Sequence, residues 1–318
     1  MKKLFEINKY YFSRLKFKFF NRNFRKTKPV NIYLNSDSKK IQDIYNSKKN
    51  NKTLFLQTQV GRGGAKWIMD ILNSIENVNA YGERNPIQES YFRYCNSHKI
   101  KDFNEDFLNL LKSEIISDWE HGEISYISSP YFSHGIEYLT QKLQPEKLII
   151  LVPSAERLMN SFYNKGWYKE KISIELNQFS KKKENLGNHF YGRLINLDIS
   201  KENFNSLSQL GRITLFMSKC IEVIYHQLNR IDKIDILIFR LDDADQNYKY
   251  CKNFIQKLGL NLDLNEQEFL KYKKRTASYH ENRKPFLSDK EKKEIKKFVD
   301  QYQFIENRIL DKFDSKHF

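Results

Sequence analysis

Thr53 to Leu72 reads TLFLQTQVGRGGAKWIMDIL, and the order of its parts decides the fold. Thr53 to Thr58 is β-rich and apolar, Gly61, Gly63 and Gly64 follow, and Trp67, Ile68, Ile71 and Leu72 then recur at helical spacing. A strand that runs through a glycine turn into an amphipathic helix gathers unpaired amides and the positive end of a helix dipole at one point. Arg62 and Lys66 add full charges there. The combination points to a phosphate or sulfate ester as guest, with a plain strand-to-helix turn carrying basic surface residues as the alternative.

Outward from this stretch the same alternation continues. Val78 to Tyr81 reads as a short strand followed by a Gly82-Glu83 turn, Ile87 to Asn96 and Phe103 to Ser117 carry helical periodicity, and Ile124 to Ser128 is a further strand ending at Pro130. Tyr131 to Leu143 is helical in pattern. KLIILV, Lys147 to Val152, is the clearest buried strand, closed by Pro153 and followed by the helical Glu156 to Tyr163. Ser208 to Arg230 reads as a long helix, IDILIFR (Ile234 to Arg240) as a buried strand, and Asp245 to Leu258 as a helix stopped at Gly259. Lys271 to Lys284 reads as a basic loop, and Leu287 to Phe313 as one or two charged helices with Ser288 as cap and Glu291 three residues on.

Short apolar strands alternating with helices predict an α/β chain: a P-loop-like three-layer fold with a central parallel sheet flanked by helices. Ligands in such sheets bind beyond the carboxyl ends of the strands. Three turns therefore point to one edge: the glycine turn, Pro153 to Arg157, and Arg240 to Asp243.

The chain has 318 residues, enough for one large domain, taken as 51–318 with a polar, basic insertion at 165–205. Residues 1–50 form a basic, aromatic N-terminal segment and linker, in which 35–52 is polar enough to be a loop or a short exposed helix. Within 1–28, ten Lys and Arg alternate with eight Phe and Tyr, and Glu6 alone opposes them. Such a segment can lie on an anionic membrane or pack as a basic helix on its own domain. A 14% aromatic content argues against disorder despite a mean hydropathy of -0.71. The net charge of +16 favours an anionic partner: a nucleotide, an acidic glycan, nucleic acid or a membrane surface. Nucleic acid has nothing but charge behind it and is not expected. The Lys- and Asn-heavy composition also fits a biased genome. The three cysteines are odd in number and widely spaced, which predicts a reducing, cytoplasmic setting, and no apolar run approaches the ~20 residues of a membrane span.

Taken together, these residues resemble the sulfotransferases that use 3′-phosphoadenosine 5′-phosphosulfate (PAPS). Arg62-Gly63-Gly64-Ala65-Lys66-Trp67 is similar to that family's phosphosulfate loop. Tyr81-Gly82-Glu83 resembles the tyrosylprotein and related branches, and LIILVPSAERLMNSFY resembles the second signature, with Ser161 in the place of its serine. LIFRLDDA is similar to a later strand of the family. The resemblance spans Thr53 to Leu260 and implies transfer of a sulfuryl group from PAPS to an acceptor hydroxyl, best suited to a glycan, with no metal. It implies that Arg62, Gly63, Gly64, Ala65, Lys66, Trp67, Arg157 and Ser161 bind the donor. Glu83 would be the base, with Arg62 and Lys66 offsetting leaving-group charge. From the residues alone, Glu83 reads equally as a turn carboxylate paired to Arg84 or a Lys.

Several positions depart from the family pattern. Pro153 stands where the 3′-phosphate arginine is expected, Ala65 and Lys66 replace two hydroxyl residues, and Ser128 replaces a lysine. These departures keep a second reading open, a non-catalytic protein that holds an anionic nucleotide or glycan. A Walker loop fails on spacing, since Val60 sits where its first glycine belongs and Trp67 follows Lys66.

Overall fold

The computed structural model describes residues 38–61, 65–169, 191–244, 247–261, 265–277 and 287–314. In chain order the elements are α1 (Ser38–Lys49), β1 (Thr53–Gln59), α2 (Ala65–Leu72), β2 (Val78–Gly82), α3 (Pro86–Ser97), α4 (Asn104–His121) and β3 (Ile124–Ser128). A 3₁₀ turn (Pro130–His134), α5 (Ile136–Leu143), β4 (Lys147–Val152), α6 (Ala155–Asn164) and a second 3₁₀ turn (Tyr191–Arg193) follow. The chain continues through α7 (Lys201–Ser206), α8 (Gln209–Leu228), β5 (Asp235–Arg240), α9 (Leu241–Ala244), α10 (Tyr248–Lys257), α11 (Glu266–Ala277) and α12 (Asp289–Ile309).

All five strands are parallel, in the order β2-β3-β1-β4-β5. Each strand is a short apolar run because both of its faces are covered. On one face Leu54, Leu56, Ile127, Leu148, Ile150 and Ile238 meet side chains of α1, α3 to α6, α8 and α12 in the larger core. On the other, Phe55, Tyr126, Ile149, Leu151 and Phe239 meet α2, α10 and α11. Alternation along the strand assigns neighbouring residues to opposite cores. The result is a three-layer α/β architecture, as the strand and helix pattern predicts.

Three differences have physical causes. The stretch expected as a basic loop from Lys271 is helical to Ala277, because Phe269 and Tyr272, three apart, give α11 a narrow apolar stripe on the smaller core. The helix expected over Tyr131 to Leu143 is divided at Gly135, where an added Cβ would lie 2.4 Å from the Phe92 ring. Within the polar 35–52 stretch, Ser38–Lys49 forms α1, the helix among its two expected forms but not wholly exposed, because Ile41 and Tyr45 are buried and the Tyr45 hydroxyl donates to the Leu143 carbonyl at 2.7 Å. At the other end, Ser288 and Glu291 form the reciprocal cap of α12. The basic segment 1–28 lies outside the described residues. Within the stretch read as an insertion, 170–190 lies outside them too, whereas Trp167, Tyr168, Ile195, Leu197 and Phe204 belong to the larger core. Among the described residues no helix is long and apolar enough to cross a membrane.

Candidate functional site

β1 lies between β3 and β4, and the chain leaves β1 toward β2 on one side and β4 toward β5 on the other. Open parallel sheets hold ligands beyond the carboxyl ends of the strands where such a divergence falls, here β1 and β4. The registers Gln59–Leu151 and Val152–Arg240 bring the exits of β1, β4 and β5 side by side. The three turns picked out from the sequence therefore share one edge.

At the β1 exit, Gly61 has φ +138, and a Cβ there would stand 3.0 Å from Phe162 of α6. Only glycine fits both constraints. Arg62, Gly63 and Gly64 lie outside the described residues. Beyond them Ala65 is buried at the start of α2, Lys66 is exposed, and Trp67 turns into the smaller core, 6.1 Å from the Phe239 ring and 5.6 Å from Phe269. The indole Nε1 of Trp67 and the side-chain Oε1 of Gln59 are buried without hydrogen-bond partners among the described residues. Beneath the turn, Gln57 accepts from the Tyr126 hydroxyl and donates to Ser128 Oγ at 2.7 Å, and Thr58 Oγ1 donates to the Ser129 carbonyl at 2.9 Å. These bonds fix the β1 and β3 ends relative to each other.

Glu83 follows β2 with φ +50, left-handed backbone that a residue with a Cβ adopts at a cost. Its N–H donates to the Ser128 carbonyl at 3.3 Å, which secures the turn against β3. Arg84, one of the two partners considered for this carboxylate, is committed elsewhere: it pairs with Asp118 at 2.6 Å and lies over the Tyr81 ring at 3.2 Å. Asp118 also accepts from Ser125 Oγ at 2.7 Å. Burial raises the Asp118 carboxyl above its ordinary range, against the opposing pull of Arg84. The charge of Glu83 registers on Tyr131, whose phenol is raised first by burial and then by Glu83.

Sequence reasoning missed the group that underlies this edge. Arg93 of α3 is 1% exposed, yet no carboxylate among the described residues lies within ion-pair distance. Its Nη2 donates to the Val60 carbonyl at 3.1 Å and to Cys220 Sγ at 3.1 Å. Its Nη1 donates to the Gly192 carbonyl at 3.4 Å, and its Nε to His134 Nδ1 at 3.3 Å. Burial first, then the Arg93 charge, holds the His134 pKa well below its ordinary value, so the ring is neutral. With Nδ1 accepting, the ring proton sits on Nε2, which is buried without a partner. The helical pattern around Arg93 gives no signal of this, because arginine is almost never fully buried.

On the β4 and β5 side, Pro153 offers its carbonyl to the Tyr302 hydroxyl at 2.8 Å. The next amide, Ser154 N–H, donates to Asp242 Oδ2 at 2.7 Å, and Arg157 approaches Asp242 Oδ1 at 3.4 Å. A carboxylate of the chain itself thus occupies the N-terminus of α6. Arg157 and Ser161, four apart, share one partly exposed face of α6. Arg240 pairs with Asp243 at 3.1 Å.

Glu306 of α12 faces the same cluster. Burial raises its carboxyl to about 7, Arg240 opposes this, and Asp242 reinforces it. A carboxyl raised in the folded state binds its proton more tightly than in the unfolded chain, so stability declines as pH rises from the ordinary glutamate range through about 7. Glu306→Gln removes that loss. After discounting for solvent screening the variant is expected to gain about 1–2 kcal/mol over the parent at pH 8 and nothing at pH 4. Thermal melts at the two pH values check this, and parallel curves would refute it.

A cleft of about 340 Å³ lies at the opposite end of the sheet, lined among others by Thr53, Ile124 and Lys147, the amino ends of β1, β3 and β4. An open parallel sheet binds at its carboxyl edge, which also holds the glycine turn and Glu83, so that edge is the candidate site. The cysteines are free and buried, and burial pushes the Cys95 and Cys220 thiols up to about 11 and Cys251 to about 12, which leaves them unreactive. Among the described residues no group of three or more His, Cys, Asp and Glu could hold a metal ion. The described residues form an open, all-parallel α/β protein whose connections diverge between β1 and β4. No protein-family model and no curated protein matches the chain.

Proposed function

We propose that this chain transfers a sulfuryl group from PAPS to a hydroxyl of an acceptor, best fitted by a glycan. The observation that carries the proposal is the convergence, at one carboxyl edge, of the glycine turn, left-handed Glu83 and the Ser154 to Ser161 segment. The acceptor oxygen attacks sulfur as the bond from sulfur to the bridging phosphate oxygen breaks, and 3′-phosphoadenosine 5′-phosphate leaves. Glu83 takes the acceptor proton. The amides from Gly63 to Lys66 hold the phosphosulfate, and Arg62 and Lys66 offset the charge gathering on the leaving oxygen. Ser161 and Arg157 serve the 3′-phosphate from the exposed face of α6.

One observation favours a second reading, a non-catalytic protein that binds an anionic nucleotide or glycan. Asp242 takes the Ser154 amide, and Pro153 supplies no amide at all, so two donors at the N-terminus of α6 are withdrawn from a phosphate. Titration with 3′-phosphoadenosine 5′-phosphate in a calorimeter, followed by incubation with labelled PAPS and hydroxyl-bearing glycans, tests both. Nucleotide binding with label transfer is expected. Absence of binding at high micromolar nucleotide overturns the enzyme reading, and binding without transfer to any glycan favours the second.

A further inference from the structure

Arg193 ends the 3₁₀ turn Tyr191–Arg193. Its guanidinium is partly buried and lies over the Trp167 ring at 4.4 Å, and it makes no hydrogen bond or ion pair with any described residue. Its Nε is fully buried without an acceptor. A guanidinium offers five N–H donors, and leaving a buried one unmet is costly.

The surroundings hold this arginine firmly in place. The Tyr168 hydroxyl donates to the Arg193 carbonyl at 2.7 Å, and Tyr168 itself sits in left-handed backbone, φ +54. Arg212 reaches from α8 to clamp the Tyr168 carbonyl with two donors, at 3.2 and 2.9 Å, and gives a third to the Leu207 carbonyl at 2.9 Å. Trp167 is wedged against Phe162 at 4.4 Å and Phe216 at 5.6 Å. Both the backbone and the aromatic support of Arg193 are therefore held in place, while its Nε has no acceptor among the described residues.

Its backbone adjoins the exit of β1. The guanidinium of Arg93 bonds both Val60, which precedes the glycine turn, and Gly192, which precedes Arg193, so the two backbones lie within one guanidinium's span. Gly192 rests on the Tyr131 ring so closely that an added Cβ would come within 2.2 Å of it. Glu83 donates its N–H to the carbonyl of Ser128, three residues before Tyr131, so the β2 exit, the Tyr131 segment and Gly192 adjoin one another.

We infer that Arg193, backed by Trp167, recognises an anionic group of the acceptor glycan, a uronate carboxylate or a sulfate ester, next to the hydroxyl presented to Glu83. The planar fork of arginine suits either group with two parallel hydrogen bonds, and the aromatic face behind it keeps the charge desolvated and aimed. The word acceptor rests on the sulfuryl-transfer reading above, but recognition of the anion does not. An acidic glycan is thereby distinguished from a neutral one of the same backbone.

Calorimetric titration of the full chain compares three probes: a uronate-containing oligosaccharide, its carboxyl-reduced neutral counterpart, and a sulfated neutral oligosaccharide. The parent should prefer one or both anionic probes over the neutral one by about 10- to 100-fold, and which of the two it prefers identifies the group. Arg193→Gln should erase that preference without weakening the neutral probe, and Arg193→Lys should restore part of it. The parent's own preference should also shrink with added salt, a measurement that needs no variant. Equal binding of all three probes by the parent overturns the proposal. So does an Arg193→Gln variant that is folded by circular dichroism and keeps the preference, or one that loses affinity for 3′-phosphoadenosine 5′-phosphate instead. Anion preference without sulfuryl transfer would leave the Arg193 site standing and remove the proposed reaction.

Discussion

Glu83→Gln is expected to lower sulfuryl transfer by about 10²- to 10⁴-fold while leaving the affinity for 3′-phosphoadenosine 5′-phosphate within about twofold of the parent. The exchange keeps shape and removes the proton acceptor. Single-turnover measurement with saturating PAPS separates this from a binding defect, and an unimpaired variant would take Glu83 out of the reaction. The backbone supplies an independent check, because Glu83 holds φ +50. Glycine there should relieve about 1 kcal/mol or more of strain. Glu83→Gly is therefore expected to melt at a higher temperature than the parent while being as inactive as the Gln variant. Stability gained together with activity lost is the signature of a residue kept in costly backbone for its side chain; a Gly variant that melts lower would contradict it.

Trp67→Ala should be the most destabilising single change near the site. Trp67 is 4% exposed and packs against Phe239 and Phe269, joining α2 to β5 and α11. Truncating a buried tryptophan costs about 3–5 kcal/mol in lost transfer energy and residual cavity. For a chain of this size that is a fall in Tm on the order of 10 °C. Trp67→Phe keeps much of the ring contact and removes the unpartnered Nε1, so it should lose well under half as much. Chemical denaturation of the two variants decides the matter: near-parent stability for Trp67→Ala would mean that α2 is not held by this contact. Since the unpaired indole N–H and the unpaired Gln59 carbonyl lie at the same carboxyl edge, nucleotide affinity measured on Trp67→Phe separates a ligand role from a packing role.

How far the sequence reaches varies from element to element. KLIILV and ISYIS coincide with β4 and β3 residue for residue, because short apolar runs closed by proline, serine or glycine admit one extent. The Ser288 cap was legible for the same reason, since its partner Glu291 is three residues away. α11 was not, because two aromatic residues in a strongly basic stretch are too few to reveal a stripe until Trp67 and Tyr248 are seen against them. At the candidate edge the Gly82-Glu83 turn was legible after its strand and Gly61 at the exit of β1, whereas the left-handed backbone of Glu83 was not, and Arg62, Gly63 and Gly64 lie outside the described residues. Arg93 and Arg193 were not, since nothing in their neighbourhoods along the chain marks one as buried and the other as unpaired.

By itself the sequence determined the alternation of strands and helices, the parallel sheet, and the position of a glycine turn at a strand exit. Each of these follows from periodicity or from allowed φ within a few residues. Tertiary structure alone decided the strand order, which sets β1 between β3 and β4, and the partners of the charges. Arg84 went to Asp118, Asp242 took the amide of Ser154, Arg93 was buried among neutral acceptors, and Arg193 was laid over Trp167 with its Nε unmet among the described residues. The physical reason is that charge pairing depends on distance and desolvation between groups tens of residues apart. Polar side chains carry no period along the chain from which those distances could be read.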